Sequence, residues 1–413
     1  MRIGMFTDTY PPFINGVSTS IVVLKKALEK KGHEVFIVTV NNEKIGYDLS
    51  DKKIIRIPGI PVGIYDYRLS GIYPIKVIKK IKKLNLDVIH SHTEFGVGTF
   101  ARLISKQYDI PLVHTYHTMY EDYISSVTKG YLDWPSKPII AELTKFYCDK
   151  TSSELIVPTK KTYDLFKKKY KVDRDVHIIP SGIEIEKYFR ENYNKEDIEA
   201  LRKKMGINKE DFVILYVGRL GQEKNVEFLI DAHVALARQY HNCKLLIIGD
   251  GPLMEKLQKK VRCYRIEESV IFGGKVPYEE VGIYYQLASV FATASTAETQ
   301  GLTVIEALAA SLPIIVINDE SYESAVENEY NGFVFKNKRE YHKRIKFLMQ
   351  NPDILKIMKV NARNSSFKHS ADYYADRVLE VYKIAVGDRK VNEKKTYFSR
   401  LKKVVSDSWK IKK

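Results

Sequence analysis

Short apolar runs alternate with longer stretches of helical periodicity along nearly the whole chain of 413 residues. Strands that are apolar throughout belong to parallel sheets that helices cover on both faces, so the alternation predicts an α/β fold. We predict strands over residues 2–6, 34–40, 53–57, 87–90, 112–115, 155–157, 177–179, 212–217, 244–248, 270–272, 290–293, 313–317 and 332–335. Helical patterns cover residues 17–31, 74–84, 98–108, 138–151, 160–170, 225–240, 253–264, 278–287, 302–311, 339–349, 352–363 and 373–386.

One polar stretch interrupts this pattern. Residues 189–206 are charged and rich in Asn, Glu and Lys, which indicates a linker between two Rossmann-like domains. We assign residues 1–190 to the first domain and residues 191–370 to the second. A helix over residues 371–387 is predicted to return to the first domain, and residues 388–413 form a basic amphipathic tail. Because parallel sheets bind ligands at the carboxyl ends of their strands, two facing sheets predict a cleft for ligands between them.

The charge of the chain indicates an anionic partner. Lys and Arg number 67 against 51 Asp and Glu, a formal net charge of +16. Such an excess is typical of proteins that bind nucleic acid, a membrane surface or phosphorylated ligands. No signal-peptide pattern opens the sequence, and no apolar run approaches the roughly 20 residues that span a bilayer. The three cysteines are widely spaced, which predicts free thiols and a cytoplasmic protein that would reach membranes only from the surface.

The strongest motif is AETQGLTVIEA, residues 297–307, which follows a predicted strand and opens a helix. The backbone N–H groups of Gln300 and Gly301 lie at the helix start, where the helix dipole favours an anion such as a diphosphate. Glu298 precedes the helix and suits the hydroxyls of a sugar, and Glu306, about one turn into the helix, suits those of a ribose. The alternative is a capped helix with two exposed acids.

A second strand-to-helix turn carries two cations. The segment VGRLGQEKN, residues 217–225, brings Arg219 and Lys224 to the predicted cleft, where they would stabilise a departing diphosphate. The alternative is surface ion pairing. Gly16 follows the first strand, and a glycine there suits either the approach of a phosphate to a helix N-terminus or a plain turn.

Together these residues resemble the retaining glycosyltransferases of family four, over residues 1 to about 385. Glu298 and Glu306 match the paired glutamates of that family. Arg219 and Lys224 match its diphosphate-binding cations, and Gly16 matches its phosphate-loop glycine. The resemblance implies the GT-B fold, in which two Rossmann-like domains face each other across a cleft and helices follow at the C-terminus. It also implies a set of donor-binding residues, namely Gly16, Arg219, Lys224, Glu298, Thr299, Gln300, Gly301, Leu302 and Glu306.

The segment HTYHTMYEDY, residues 114–123, follows a strand and is dense in aromatic and polar groups. It is similar to a segment of bacterial diacylglycerol glucosyltransferases within the family, and His117 matches the active-site histidine that contacts the donor sugar. The resemblance thus implies catalytic roles for His117, Glu298, Arg219 and Lys224. The chain departs from the family at Glu184, where relatives usually carry Asp.

No metal site is expected. Four histidines suggest one, but no carboxylate or cysteine accompanies them at ligand spacing; they are His90, His92, His114 and His117. The Asp-Arg-Asp stretch at residues 173–175 is interpreted as a solvated turn. The resemblance implies further that no cofactor is tightly bound and that Mg²⁺ is not required.

Two regions are typical of membrane-binding surfaces. The predicted helix 74–84 carries five lysines, Lys76, Lys79, Lys80, Lys82 and Lys83. In the tail, four apolar residues recur at spacings of three and four among basic ones; they are Phe398, Leu401, Val405 and Trp409. An apolar stripe with a basic opposite face fits an interfacial helix, and each basic residue near anionic lipid adds about 1 kcal/mol. The alternative in both regions is a solvated, charged helix.

The sequence and the resemblance together predict a peripheral enzyme at the cytoplasmic face of the cell membrane. It would move glucose from UDP-glucose to the 3-hydroxyl of 1,2-diacylglycerol and form α-monoglucosyl diacylglycerol. The open alternatives are another acceptor (phosphatidylinositol, a glycolipid or a cell-wall precursor), another nucleotide sugar, a nucleic-acid binder and a non-catalytic scaffold. No zinc-finger spacing or aromatic RNA-binding motif supports a nucleic-acid partner, and the intact charged motifs argue against a scaffold.

Overall fold

The computed structural model describes residues 1–12, 15–41, 51–61, 68–71, 73, 75–94, 96–117, 141–142 and 144–388. Every predicted strand is present within two residues of its predicted bounds. The predicted helix 278–287 is shorter, Gly282–Tyr285, because a turn with a hydrogen bond from the Glu280 N–H to the Pro277 carbonyl precedes it. Most of the segment 114–123, residues 138–140 and 143 of the predicted helix 138–151 and nearly all of the tail lie outside the described residues.

The first half of the chain forms a seven-stranded parallel sheet within the described residues. Its strands are β1 Arg2–Phe6, β2 Glu34–Val40, β3 Ile54–Ile57, β4 Val88–Ser91, β5 Leu112–Thr115, β6 Glu154–Val157 and β7 Val176–Ile178, in the order 3-2-1-4-5-6-7. Its helices are α1 Gly16–Lys30, α2 Ile75–Lys82, α3 Val97–Tyr108 and α4 Lys160–Asp164, with π-helical turns at Phe146–Lys150 and Leu165–Lys169. A short antiparallel pair joins Ile60–Pro61 to Arg68–Leu69.

Alternate residues of each strand enter cores on opposite faces of this sheet. In β2, Val35 and Ile37 pack in the core that contains α1, while Phe36 and Val38 pack in the core that contains α3. Side chains of a strand point alternately to the two faces, so a sheet covered on both sides needs apolar residues at every position. This requirement explains the continuous apolar runs of the sequence.

The second half forms a six-stranded parallel sheet. Its strands are β8 Phe212–Val217, β9 Cys243–Ile248, β10 Val270–Gly274, β11 Val290–Thr293, β12 Ile314–Ile317 and β13 Gly332–Phe335. Their spatial order is 10-9-8-11-12-13. The helices are α5 Lys195–Lys204, α6 Val226–Gln239, α7 Met254–Tyr264, α8 Gly282–Tyr285, α9 Leu302–Ala309, α10 Lys338–Gln350 and α11 Pro352–Ser366. Short 3₁₀ helices lie at Ile185–Tyr188, Arg190–Asn192, Gln222–Lys224, Glu320–Tyr322 and Phe367–His369.

The last described helix, residues 371–388, packs on the first sheet and not on the second. Tyr374, Val378 and Tyr382 are buried in one core with Ile3 and Ile21. The chain therefore returns to its N-terminal half after completing the second sheet.

The order of the strands reverses direction once in each sheet, between β1 and β4 in the first and between β8 and β11 in the second. The loops that follow such neighbouring strands diverge to opposite faces of the sheet and leave a crevice at its carboxyl edge, where open α/β sheets bind ligands. Arg219 and Lys224 follow β8, and Glu298 follows β11. Gly16 follows β1, and His92 follows β4. Predicted site residues thus lie at both reversal points.

Candidate active site

Four consecutive residues after β11 make the contacts that organise the site. Glu298 forms an ion pair with Lys224. Thr299 and Gln300 contact the first domain, at His117 and Ser181 respectively. Gly301 is the N-cap of α9.

The Lys224 ammonium lies 2.6 Å from the Glu298 carboxylate. Burial alone would raise the pKa of Glu298, but the charge and hydrogen bond of Lys224 outweigh burial and hold this pKa below its usual value. The Glu298 carboxylate is therefore charged at neutral pH. The pair joins the loops after β8 and β11, so it lies at the strand-order reversal of the second sheet. The alternative of an exposed acid at a capped helix does not describe Glu298, because its side chain is only 18% exposed.

Gly301 has a φ of +76°, in the left-handed region that favours glycine, and it is the N-cap of α9. A Cβ added there would lie 3.0 Å from Cε1 of Tyr322, so a side chain at this position would also be crowded. Leu302 is the first helical residue. The first N–H groups of a helix have no carbonyl partners within it, which gives the loop an anion-binding end, and the Val304 N–H here donates to the Gly301 carbonyl at 3.0 Å.

Arg219 is exposed and forms an ion pair with Glu223 of the following 3₁₀ turn. Its guanidinium lies on the same loop as Lys224, so both predicted cations belong to the loop after β8. A role for Arg219 at a diphosphate stays a prediction.

Glu306 is buried on α9 and accepts a 2.6 Å hydrogen bond from the Tyr285 hydroxyl. Burial raises the pKa of Glu306, although this hydrogen bond and one from Tyr188 act in the opposite direction. The alternative of an exposed acid is therefore wrong here also. Two tyrosines already fix the Glu306 carboxylate, and its predicted contact with a ribose stays a prediction.

The loop of residues 298–301 is the predicted donor loop. Two of its side chains reach the first domain. The Thr299 hydroxyl donates to the backbone carbonyl of His117 at 2.9 Å. The amide of Gln300 donates to the Ser181 carbonyl at 2.8 Å and accepts from the Ser181 N–H at 2.7 Å. The side chain of Gln300 thus connects the two halves, and only its backbone is left for the predicted anion site. Sequence reasoning missed this role because Ser181 is 119 residues away.

Gly16 lies opposite the start of α9. A Cβ added at Gly16 would be 3.9 Å from Cδ1 of Leu302. Asn15 caps the Gly16 helix, accepting from the Ser18 N–H at 2.9 Å. The N-termini of α1 and α9 therefore meet across the cleft, as the predicted donor set requires, while the binding role of Gly16 itself stays a prediction.

Histidines form a row at the carboxyl ends of β4 and β5. Nδ1 of His92 lies 3.0 Å from Nε2 of His117, and the ring centroids of His90 and His92 are 3.9 Å apart with the ring planes tilted by 36°. Burial lowers the pKa of His117 to about 4 and takes the pKa of His92 well below its usual value. The row is therefore neutral at physiological pH and presents hydrogen-bonding groups without charge.

His114 belongs to a separate cluster. Its Nε2 lies 3.1 Å from Glu94, and one ligand atom each from Glu94, His114 and Cys148 fall within 4.8 Å of one another. The expectation that no carboxylate or cysteine accompanies the histidines is thus wrong, because tertiary folding brings together groups that no spacing rule connects. Burial raises the pKa of the Cys148 thiol well above its usual range, so this sulfur is protonated at neutral pH.

Comparison with known proteins decides the family. Residues 14–187 match the model for Glycosyltransferase Family 4, and residues 197–365 match that for Glycosyl transferases group 1. The alpha-monoglucosyldiacylglycerol synthase of Acholeplasma laidlawii is 38% identical over 402 residues, which cover 95% of this chain and 100% of that protein. The chain belongs to glycosyltransferase family four. The protein of the same name from Streptococcus pneumoniae is 34% identical, over 92% of this chain and 86% of its own length.

Solved structures share the fold of this family four glycosyltransferase. The Anabaena protein HepE, in complex with UDP and glucose, superposes with a TM-score of 0.71 at 17% identity, over 92% of this chain and 99% of HepE. WaaG, a glycosyltransferase involved in lipopolysaccharide biosynthesis, gives a TM-score of 0.68 at 17% identity, over 94% of this chain and 100% of WaaG. The predicted GT-B fold is confirmed.

One further acid of this glycosyltransferase lies at the cleft edge and was missed. Asp8 follows β1 and accepts hydrogen bonds from the Thr93 hydroxyl at 2.6 Å and the Val97 N–H at 2.9 Å. Burial raises its pKa to about 7. The signal that was available is an acid immediately beyond an apolar strand, at the edge where ligands bind.

Proposed function

We propose that this glycosyltransferase transfers glucose from UDP-glucose to the 3-hydroxyl of 1,2-diacylglycerol, with retention of configuration, and forms α-monoglucosyl diacylglycerol. The names of the two relatives that align over most of the chain support the acceptor and the sugar. The complex of HepE with UDP and glucose supports a UDP-sugar donor for this fold. The observation that carries the proposal is the loop 298–301, which pairs with Lys224, begins a helix and contacts His117 across the cleft.

The second domain supplies the positive charge for the leaving group. Negative charge develops on the diphosphate as its bond to C1 of the sugar breaks, and Lys224, Arg219 and the N–H groups at Gly301 and Leu302 would stabilise it. Preorganised donors of this kind need no rearrangement during the reaction, because the Lys224–Glu298 pair is already formed.

The sugar would lie between Glu298 and His117, with Glu306 toward the ribose. The acceptor hydroxyl attacks C1 on the face that the diphosphate leaves, so the new C1–O bond has the configuration of the old one. A donor phosphate oxygen takes the hydroxyl proton. No carboxylate serves as nucleophile in this scheme, and the Glu298 carboxylate is held by Lys224.

We propose also that no tightly bound cofactor and no Mg²⁺ are needed. Two fixed cations on one loop and a helix N-terminus on the next perform the neutralisation that a divalent ion provides elsewhere. Initial rates are expected to stay within about twofold after exhaustive chelation, since the charged side chains and the helix end belong to the protein and are not removed by a chelator. Loss of activity that added Mg²⁺ restores would overturn this part of the proposal.

The acceptor is a lipid, and we propose that the enzyme binds peripherally to the cytoplasmic membrane face, with anionic lipids and not nucleic acid as its charged partner. No helix among the described residues is long and apolar enough to cross a bilayer. Lys79, Lys80, Lys82 and Lys83 are exposed on or just beyond α2, and Ile75 at its start is 70% exposed. Beside α2 lies an apolar groove of ≈ 350 Å³, lined in part by Ile78, Phe100 and Leu103.

A product assay tests the whole proposal. The full-length protein is incubated with a panel of labelled nucleotide sugars and anionic vesicles that contain diacylglycerol, phosphatidylinositol or a glycolipid. We expect one new lipid, α-monoglucosyl diacylglycerol, from UDP-glucose and diacylglycerol. The Lys224→Met variant is the inactive control. Lys209→Met is the matched control, because Lys209 is exposed and precedes β8, at the opposite end of that strand.

Other outcomes of the product assay would replace or exclude parts of the proposal. A product formed only from another lipid or another nucleotide sugar would replace the acceptor or the donor while leaving the glycosyltransferase intact. A β-linked product would exclude retention. Calorimetry that detects no binding of UDP would exclude the proposed donor altogether.

A further inference from the structure

The contact between His92 and His117 carries information about where protons lie. In a neutral imidazole one nitrogen is a donor and the other an acceptor. Nδ1 of His92 and Nε2 of His117 are 3.0 Å apart, so one of these two nitrogens carries a hydrogen and the other does not. Each choice fixes the remaining nitrogen of both rings.

The surroundings of His92 distinguish the two choices. Its ring is 1% exposed, and its Nε2 is buried with no hydrogen-bond partner among the described residues. If His117 were the donor, the proton of His92 would sit on this buried Nε2 as an unpaired N–H group. If His92 donates from Nδ1, the buried Nε2 is a bare acceptor. Orphaned buried N–H groups are the rarer case in proteins, so the second arrangement is favoured.

Contacts on two sides hold His92 in place. Its backbone N–H donates to the Phe6 carbonyl at 2.9 Å, which ties the backbone to the end of β1. Its ring packs against that of His90, with the two ring planes tilted by 36°. His90 is itself fixed at both nitrogens, with Nδ1 2.6 Å from the Tyr382 hydroxyl and Nε2 2.7 Å from the Thr115 hydroxyl. The ring that holds His117 is thus braced from behind by the helix 371–388.

We propose that His92 is a positioning residue that fixes His117 as the tautomer with its hydrogen on Nδ1, and that this N–H is the group His117 presents to an oxygen of the donor sugar. The proposal rests on the role proposed above for His117. It specifies more than that role, because it makes His117 a hydrogen-bond donor and assigns the reason to a residue that does not touch the substrate. His92 would act only through the ring of His117.

Nitrogen-15 NMR of the full-length protein with labelled histidine tests the tautomer directly. Long-range proton–nitrogen spectra report which ring nitrogen carries the hydrogen, and the His117→Gln variant assigns the signal among the 10 histidines. We expect His117 to be protonated on Nδ1 in the wild type and to change to Nε2 in His92→Leu. A wild-type His117 protonated on Nε2 would overturn the proposal. This result does not depend on catalysis, so an enzyme without glucosyl transfer would remove the proposed function and leave the tautomer standing.

Kinetics test the consequence. His92→Leu is expected to lower kcat by about 10- to 100-fold, the usual effect of losing a residue that orients a functional histidine, with the donor KM within about threefold. His92→Asn keeps an N–H near the position of Nδ1 and should recover most of the rate. Equal losses in the two variants would contradict the proposal. His233→Gln is the matched control, because His233 is fully buried in the second domain on Ser269, and its kcat should be unchanged below the melting temperature.

Discussion

The sharpest perturbation of the donor site is Lys224→Met, which keeps the length of the side chain and removes its charge. Two effects are expected. In the proposed site the ammonium would no longer face the diphosphate, and the Glu298 carboxylate, which it contacts at 2.6 Å, would lose its counter-charge. The first effect is a loss of rate, and the second is a loss of stability.

The two magnitudes differ. Removing one preorganised charge that stabilises a developing anion lowers kcat by about 10²–10³, or about 3–4 kcal/mol. Breaking a fully buried ion pair costs about 3–5 kcal/mol and an exposed one less than about 1 kcal/mol. Lys224 and Glu298 are 26% and 18% exposed, so we expect a loss of about 1–3 kcal/mol in the free energy of unfolding, between those limits.

A double mutant separates the effects. In Lys224→Met with Glu298→Gln, a neutral pair replaces the ion pair, and urea unfolding should show that part of the lost stability returns. Initial rates with UDP-glucose and diacylglycerol vesicles should stay low, because stability is not the cause of the loss. A folded Lys224→Met protein with kcat within about tenfold of wild type would refute the reasoning, since a charge at the leaving group is worth more than that.

Three further outcomes are expected. Gly301→Ala places a Cβ 3.0 Å from Tyr322 at a φ of +76°, which costs about 1–2 kcal/mol, and calorimetry should show UDP binding weakened by about tenfold. Gln300→Leu leaves the buried N–H and carbonyl of Ser181 unpaired and should lower the free energy of unfolding in urea by about 2–4 kcal/mol. Burial lowers the pKa of His117 from 6.5 to about 4, so between these values the unfolded chain binds a proton that the folded protein does not. The free energy of unfolding should therefore decrease as the pH is lowered, by about 2 kcal/mol from this group between pH 7 and pH 5. The contribution is measured as the difference between wild type and His117→Gln.

Sequence patterns located the strands of both sheets because most of these strands are buried on two faces and are predominantly apolar. The position of the donor loop could also be predicted, because its four residues are consecutive and precede a helix; they are Glu298, Thr299, Gln300 and Gly301. The contacts of these side chains could not be predicted from the sequence. The backbone N–H of Gln300 was expected at the anion site and stays a prediction, whereas the contact of its side-chain amide with a backbone segment 119 residues away was not expected.

The contacts of the histidine row could not be predicted from the sequence either. His90 and His92 were considered only as metal ligands, because sequence spacing has no other rule for them. Their contacts depend on the neighbouring strands β4 and β5 and on Tyr382, which is 292 residues from His90. The hydrogen bond between His90 and Tyr382 forms only when the helix 371–388 packs on the first sheet, and sequence spacing does not indicate that contact.

That helix also determines how the membrane proposal can be tested by truncation. Its Tyr374 hydroxyl lies 3.2 Å from Ser20, which in turn contacts Ser181, and the backbone of Ser181 holds Gln300 of the donor loop. Its other tyrosine, Tyr382, holds His90. A chain that stops at residue 370 would lose both contacts and uncover the core around Ile3, so its inactivity would say nothing about lipid binding. A chain that stops at residue 388 keeps them, and only this truncation isolates the contribution of the basic tail to binding of anionic vesicles.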